Sequence, residues 1–383
     1  MRLALISSNL FADTGGGAEK YVEDAARSLG RKHEVVVLTG SKSNAEGVSL
    51  RRLPGLPYHD AGSGSAFDRA AWHARDQWSP SVHRALKREL AIERPELVWS
   101  HEPQGLSAAV FTAIAALGFP HVHTAHDLNL LCLRTSMTRD GSFCGGRCLE
   151  CRFQREIRGR AARRSLDRLI GVSDYITDRH VSAGIVAADR AVTIRNGAER
   201  GSARIRLPSE KPTVGFIGAL APHKGVLTLL RAARAAPPNW TFLIAGAGPL
   251  AAEVESAARY DGRIEWLGRI DGDEKETFFQ RIDVLVVPSE WEEPAPLVAM
   301  EAAVRGVPCV VSDRGGLPET PEAQTFHAGD TEALLAAVSS FVDTPGTLEQ
   351  ASRRLIDRSD EFTWSTHLAR VEEALRDVAT RAR

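Results

Sequence analysis

The sequence has no excess of charge of either sign and no long apolar run. Its 383 residues include 48 Lys and Arg against 49 Asp and Glu, a formal net charge of −1, so neither nucleic acid nor a membrane is expected as the main partner. No stretch approaches the roughly 20 apolar residues that a membrane span requires. The first residues, MRLALISSNLF, predict a strand rather than a signal peptide, because their apolar run is short. We therefore expect a cytoplasmic protein.

The composition and the order of elements indicate a globular α/β protein. Hydrophobic residues make up 43% of the chain and charged residues 25%, as in ordinary soluble proteins, and the length suffices for two domains. Each half opens with an apolar strand, a glycine loop and a helix. In the first half these are residues 3–7, Gly15 to Gly17 and residues 18–29; in the second half, residues 213–218 lead into residues 219–225. This order predicts a doubly wound α/β fold, which binds ligands at the carboxyl ends of its strands.

The most informative stretch begins at an apolar strand, residues 284–287. A polar loop follows, then a helix from residue 297 to about residue 305, a second strand and Gly315–Gly316. The N-terminus of a helix attracts a phosphate through its free N–H groups and its dipole. Glu293 lies just before this helix and Glu301 about two turns along it, so the two can accept hydrogen bonds from sugar and ribose hydroxyls. The alternative is that both are solvated helix charges.

From Glu293 to Glu301 the sequence follows the pattern E-x7-E, and the whole stretch resembles the donor site of the retaining glycosyltransferases of family 4. The resemblance also includes, in order, Ala302, Gly306, Pro308 and Gly315–Gly316. It implies the glycosyltransferase-B fold, in which two Rossmann-like domains face a cleft. Residues 1–197 would form the acceptor-side domain and residues 209–363 the nucleotide-sugar-binding domain. A final helix, at about residues 364–381, would cross back onto the first domain.

The resemblance also implies roles for residues within this stretch. It places Glu293 near the transferred sugar and Glu301 on the ribose of the nucleotide. Pro296 departs from the family pattern, because proline has no N–H to give to a phosphate. Donation to the phosphate then falls to the neighbouring N–H groups, those of Ala295, Leu297 and Val298.

Lys224 is the cation expected to meet the diphosphate. It lies at a glycine-flanked junction between a loop and a helix, although a plain surface lysine is the alternative. The family has a Lys near this position and an Arg near Ala219, and together they neutralise the leaving diphosphate. Because the Arg is missing here, either Lys224 works with another cation such as Arg195 or Arg269, or transfer is slower, or the donor differs. Arg269 also follows a strand whose loop packs against the base in the family.

Two features of the first half are expected near the ligands. The segment with Gly16, Gly17 and Glu19 resembles the family's Gly-Gly-x-Glu opening, which implies a loop near the acceptor and the diphosphate. His126 follows an apolar strand, residues 121–125, at the end that faces ligands in α/β domains. The resemblance implies that His126 contacts the donor sugar without acting as a nucleophile. The alternative is a hydrogen-bonded structural histidine.

Four of the five cysteines lie in one segment, at Cys132, Cys144, Cys148 and Cys151. In a reducing compartment, clustered thiols are metal ligands more often than disulfides. We expect a structural zinc site with four thiolate ligands. The spacing is not that of a standard zinc finger, so free or disulfide-bonded thiols and an iron–sulfur cluster stay open. Cys309 lies apart in an apolar strand and is expected only to pack.

Residues 152–168 contain seven arginines and two acids. Such a helix could contact an anionic membrane peripherally or bind a phosphorylated acceptor. The arginines do not keep to one face, however, and aromatic anchors are nearly absent. The pattern therefore favours a solvated helix.

Taken with the resemblance, these features predict a retaining glycosyltransferase of the hexosyltransferase type. It would transfer a sugar from a nucleotide diphosphate, with UDP- and GDP-sugars favoured, to a glycan, a lipid-linked or a small-molecule acceptor. The acceptor would attack on the face that the diphosphate leaves, and no cofactor or divalent ion would be required. A sugar-nucleotide epimerase or a sugar phosphorylase of the same fold and a non-catalytic sugar-nucleotide-binding subunit are the alternatives.

Overall fold

The protein divides into two compact units. A computed structural model describes residues 1–14, 16–56, 65–139, 142–144 and 148–381. The first unit contains Met1–Met137, Cys144–Ile194 and Arg370–Arg383, and the second contains Thr138–Phe143 and Arg195–Ala369. The final helix begins in the second unit and ends in the first. Gly15 and part of the cysteine-containing segment lie outside the described residues.

Strands and helices alternate along most of the chain. The strands of the described residues, β1 to β15 in chain order, are Arg2–Ser7, Glu34–Thr39, Leu50–Arg52, Leu97–Ser100, His121–Ala125, Thr138–Arg139, Ser142–Phe143, Arg168–Gly171, Ala191–Thr193, Thr213–Ile217, Thr241–Ala245, Ile264–Trp266, Val284–Val287, Cys309–Ser312 and Gln324–Phe326. The α-helices, α1 to α14, are Phe11–Thr14, Gly17–Leu29, Ala66–Arg75, Pro80–Glu93, Ala109–Leu117, Leu149–Ser165, Asp174–Ser182, Val226–Ala235, Ala251–Tyr260, Gly272–Arg281, Leu297–Ala303, Thr331–Val342, Thr347–Asp357 and Trp364–Arg381.

The first unit is built on a parallel sheet with the order β3-β2-β1-β4-β5-β8-β9. The chain starts in the middle of this sheet, at β1, builds outward to β3 and then returns to β4 on the other side. The loops after β1 and β4 therefore diverge, and the crevice between diverging loops is where open α/β sheets bind ligands. Helices α4 and α5 cover one face of the sheet, where Leu86, Leu90, Val110 and Ile114 pack against the strands.

The second unit repeats this plan with the order β12-β11-β10-β13-β14-β15, again with all strands parallel. Successive residues of β13 belong to different cores: Val284 and Val286 pack on one face of the sheet, and Leu285 and Val287 on the other. A sheet covered on both faces has strands that are apolar throughout. The loops after β10 and β13 diverge at the switch point of this sheet, which is the position where the strand order reverses.

The predicted α/β class is confirmed, and several strands begin and end at the predicted residues. The described residues contain no helix that combines the length and the apolar composition of a membrane span. Between the first strands and β4, α3 is regular and starts at a capping box formed by Ser65 and Asp68, and Pro80 opens α4; residues 57–64 lie outside the described part.

One prediction needs correction, because the arginine-rich helix, α6, is not simply solvated. Arg158 is fully buried and forms an ion pair with buried Asp76. It also donates to the Asn129 side chain, and neighbouring Gln154 donates to the Asn129 carbonyl at 2.7 Å. A buried charge requires such partners, so Arg158 joins α6 to the segment that follows β5.

Candidate functional site

The switch point of the second unit brings together a cation and a carboxylate. Lys224 lies in the loop between β10 and α8, and Glu293 lies in the loop between β13 and α11. The Lys224 Nζ atom is 3.0 Å from Glu293 Oε1 and 2.8 Å from Oε2. Two residues that are 69 positions apart in sequence thus form a two-point ion pair at the place where this fold binds ligands.

Two further donors hold the same carboxylate. Ser289 Oγ donates to Glu293 Oε2 at 3.1 Å and Trp291 Nε1 donates to it at 2.6 Å. The Lys224 ammonium also lies 4.9 Å from the centre of the Trp291 ring, within the range of a cation–π contact. The Glu293 carboxylate is therefore fixed in position from both sides.

These partners decide the ionisation of Glu293. Burial raises its pKa, but Lys224 and the hydrogen bonds from Trp291 and Ser289 outweigh burial and hold the pKa below its ordinary value. The carboxylate is ionised at neutral pH. Burial and the neighbouring Lys224 lower the pKa of His223, so the loop that carries Lys224 presents one positive charge rather than two.

Glycine allows the two loops to approach closely. Gly225 has φ of +72°, and a Cβ atom at this position would lie 1.8 Å from the carbonyl oxygen of Pro288. Gly315 has φ of +59°, and a Cβ atom there would lie 2.2 Å from the carbonyl oxygen of Glu293. Any other residue at either position would displace the Lys224 or the Glu293 loop.

The helix that follows Glu293 begins as predicted, at Leu297. Leu297 and Val298 are the first two residues of α11, so their N–H groups have no acceptor within the helix, and Ala295 is half-buried just before it. Glu301 does not share the partners of Glu293. Its Oε1 atom lies 2.5 Å from Lys275 Nζ on α10, a cation that the sequence did not indicate.

The cations considered as replacements for the missing arginine differ in their surroundings. Arg195 forms an ion pair with Glu319 at 3.1 Å. Arg269 is exposed and forms no ion pair within the described part of the chain. It follows Gly268, whose carbonyl accepts from Gly246 N–H at 2.7 Å in the neighbouring loop. Arg269, after β12, therefore lies at the same end of the sheet as exposed Ala219, which follows β10; this is the end formed by the carboxyl ends of the strands.

The corresponding edge of the first unit carries aromatic side chains. His126 follows β5, and its Nε2 atom lies 3.1 Å from Nδ1 of His101, which follows β4. The Tyr21 ring of α2 lies 4.8 Å from the His126 ring, centre to centre. Gly16 caps the N-terminus of α2 and Gly17 is its first residue, so the predicted glycine loop does lead into this helix.

Three acids of the first unit were not recognised as a group from the sequence. Glu19 lies in the first turn of α2, Glu102 follows His101 and Asp127 follows His126. Burial raises the pKa of Asp127 to about 6. Burial, followed by the charges of Asp127 and Glu19, raises the pKa of Glu102 well above its usual range. The sequence did contain a signal for this group, because each acid lies next to a residue at the ligand-binding edge of the sheet.

The structure brings two of the four clustered cysteines into contact. All five cysteines are free thiols. The Sγ atoms of Cys132 and Cys151 lie 3.7 Å apart. Within the described ranges, no three His, Cys, Asp or Glu side chains are already arranged to hold a metal ion.

Comparisons with known proteins agree with this architecture. The family described as Glycosyltransferase Family 4 matches residues 15–200, and the one described as Glycosyl transferases group 1 matches residues 211–344. A phosphatidyl-myo-inositol mannosyltransferase of Mycolicibacterium smegmatis is 26% identical over 99% of this chain and 94% of its own length. A protein in the cps region of Klebsiella pneumoniae, described as uncharacterized, is 24% identical over 83% of this chain and 87% of its own length. The structure of HepE from Anabaena in complex with UDP is similar in fold, with a TM-score of 0.73 and 18% identity over 98% of this chain and 100% of that chain.

Proposed function

The chain belongs to the glycosyltransferases of group 1 and family 4 and has the glycosyltransferase-B fold, and we propose that it transfers a sugar from a nucleotide diphosphate to an acceptor hydroxyl with retention of the anomeric configuration. The observation that carries this proposal is the pair of Lys224 and Glu293 at the switch point of the second unit. The UDP complex and the mannosyltransferase among its relatives support a sugar nucleotide as donor. We favour a UDP- or GDP-hexose as the donor and a glycan, lipid-linked or small-molecule hydroxyl as the acceptor.

The second unit would stabilise the leaving diphosphate. Breaking the bond between the sugar and the phosphate leaves negative charge on the phosphate oxygens, where fixed positive groups lower the barrier. The Lys224 ammonium has three protons, of which the two Glu293 oxygens accept two. The third remains for a phosphate oxygen. The N–H groups of Leu297 and Val298 at the start of α11 add further donors. Because these groups supply the positive charge, we propose that transfer needs no divalent ion.

The contacts of Glu293 favour a single same-face displacement over a covalent intermediate. A double displacement needs a carboxylate that is free to attack the anomeric carbon, whereas Lys224, Ser289 and Trp291 already occupy both Glu293 oxygens. In the proposed reaction the acceptor oxygen bonds to the anomeric carbon on the face that the phosphate leaves. The departing phosphate oxygen takes the acceptor proton. By family resemblance, Glu293 and His126 would orient the sugar and Glu301 the ribose.

The first experiment identifies the donor. Thermal unfolding is measured with UDP, GDP, ADP and their sugars, because a ligand that binds only the folded protein raises the melting temperature. We expect one nucleotide to raise it most, and its sugar to be consumed only with an acceptor. Nuclear magnetic resonance of the product should show the anomeric configuration of the donor.

Two results would contradict the proposal. Conversion of the sugar nucleotide without any acceptor would indicate an epimerase. Binding without turnover, across glycan, lipid-linked and small-molecule acceptors, would indicate a non-catalytic subunit. A product with inverted configuration would contradict the same-face mechanism alone and leave the transferase activity standing.

A further inference from the structure

The cysteine segment between β5 and α6 has a geometry that donor binding does not explain. Cys132 and Cys151 are buried, and Cys144 and Cys148 are half-buried. The 3.7 Å between the Sγ atoms of Cys132 and Cys151 is far longer than the roughly 2.05 Å of a disulfide. In a tetrahedral zinc site with bonds of about 2.3 Å, neighbouring sulfur atoms lie about 3.8 Å apart. The buried pair therefore has the spacing of two zinc ligands.

The other two cysteines lie next to this pair. The Cys148 side chain is within hydrogen-bonding reach of Cys151, and Cys144 is close enough to Cys132 to interact with it electrostatically. Cys148 therefore lies beside Cys151, and Cys144 lies farther from Cys132 but in the same segment.

The backbone that follows Cys132 is strained. Thr135 and Met137 have φ of +61° and +52°, a conformation that residues other than glycine rarely adopt and that costs free energy.

The local fold holds each cysteine at a defined position. Cys132 closes a turn by donating its N–H to the Leu128 carbonyl at 2.8 Å, and the Cys144 N–H donates to the Met137 carbonyl at 2.8 Å. Cys148 is the residue that caps α6, and Cys151 lies in the first turn of that helix. The ligands would thus come from a turn, the end of a hairpin and a helix start.

We propose that Cys132, Cys144, Cys148 and Cys151 bind one structural zinc ion. Binding brings the Cys144 and Cys148 thiols onto the pair formed by Cys132 and Cys151, and the thiol protons are released to solvent. The ion would connect α6 to the segment that follows His126, which Asn129 already joins to α6 through Arg158 and Gln154. Four thiolate ligands leave no open position for substrate, so the role is structural.

The test measures metal content and thiols on the full-length protein. The chain is produced with zinc in the medium, purified under reducing conditions and analysed by elemental mass spectrometry. We expect stoichiometric zinc in the wild type and in the control Cys309→Ser, since buried Cys309 lies apart in β14. Zinc should be lost in the double variant Cys132→Ser/Cys151→Ser. Because that variant could fail to fold, Co²⁺ is also added to zinc-depleted wild type, where the absorption bands of tetrahedral cobalt thiolate are expected.

Several outcomes would overturn the proposal. These are a metal-free wild type whose thiols all react after denaturation, a disulfide between Cys132 and Cys151 found by mass spectrometry, iron in place of zinc, and full zinc content in the double variant. The readout is separate from the proposed function. Lys224→Ala should keep its zinc even if it loses transfer, and a missing zinc would not contradict sugar transfer.

Discussion

The two units share a sheet topology but place different chemistry at the same edge. At the switch point of the second unit, an ionised carboxylate and a lysine are fixed against each other by Ser289 and Trp291. At the corresponding edge of the first unit, burial lowers the pKa of His101 and raises that of Glu102 and Asp127. A repeated fold thus positions an ion pair in one unit and, in the other, buried acids whose pKa values are raised. The fold therefore specifies where the ligand-binding edge of each sheet lies, and local residues specify its chemistry.

The largest kinetic effect is expected when the Lys224 ammonium is removed. Lys224→Ala should lower kcat/KM by ~100- to 1,000-fold, the usual effect of losing a group that stabilises transition-state charge. The measurement is initial-rate kinetics with the donor identified by thermal unfolding. Lys211→Ala, an exposed lysine of the same unit, should retain wild-type kinetics. Equal activity in both variants would remove Lys224 from the site.

Trp291→Phe keeps the aromatic ring but removes the N–H that Glu293 accepts. A hydrogen bond to a charged group contributes about 1.5 kcal/mol or more, so kcat/KM should fall about tenfold. Trp240 is the matched control, because its Nε1 atom has no partner in the described part of the chain. Trp240→Phe therefore loses no hydrogen bond and should keep its kcat/KM. A Trp291→Phe enzyme with wild-type kinetics would show that Lys224 and Ser289 fix Glu293 without the Trp291 N–H.

Glu301→Gln tests the ribose contact with a smaller expected effect. The amide retains the shape of the side chain but loses the charge that attracts Lys275 and accepts from hydroxyls. We expect the KM for the donor to rise by up to about tenfold with kcat nearly unchanged, as for a contact made equally in the ground and transition states. Exposed Glu253→Gln on α9 is the control. A fall in kcat at constant KM would contradict the assignment.

The smallest effect concerns acid stability, in which the units should differ. Burial lowers the pKa of His180 to about 4, below the unfolded value of about 6.5. The unfolded state therefore binds the proton first, so the stability that neutral His180 supports is present above about pH 6.5 and is lost as the pH falls toward 4. His180→Asn should reduce the loss of unfolding free energy between about pH 7.5 and pH 5.5 by about 1 kcal/mol.

Hydrogen exchange measures the pH dependence of the opening free energy for each unit separately. In the His180→Asn variant, amides of β5 and β8 should exchange with a weaker pH dependence than in the wild type. Amides of β10 and β13 supply the internal control, because the lowered pKa of Glu293 makes its contribution disappear only at pH values below about 4.5. An unchanged pH dependence in β5 and β8 would show that His180 does not titrate as proposed.

Sequence alone predicted several apolar strands and the start of the helix that follows Glu293. His121–Ala125 and Val284–Val287 have the predicted bounds, because buried parallel strands are continuous apolar runs between polar loops. Leu50–Arg52 was missed, since this short edge strand is half-exposed and carries two arginines. The local sequence pattern does not reveal an edge strand of this kind.

The residues of the candidate site could be named from the sequence, but the contacts between them could not. Glu293 and Lys224 were both identified, yet the contact between them joins loops that are distant in sequence. The same holds for Arg158, whose buried partner Asp76 lies 82 positions away. The role of Trp291 depends on the path of its own loop, which Gly315 allows by packing against Glu293. Periodicity and motifs report local structure, whereas these contacts arise only after the chain has folded.

The central claim, that the donor binds at the switch point of the second unit, is tested most directly by hydrogen exchange with the preferred nucleotide diphosphate. We predict slower exchange in two segments, residues 223–228 and residues 289–299. Lys224→Ala should weaken this protection, whereas Lys211→Ala should not. Protection confined to other parts of the chain, with both segments unchanged at saturating nucleotide, would contradict the account.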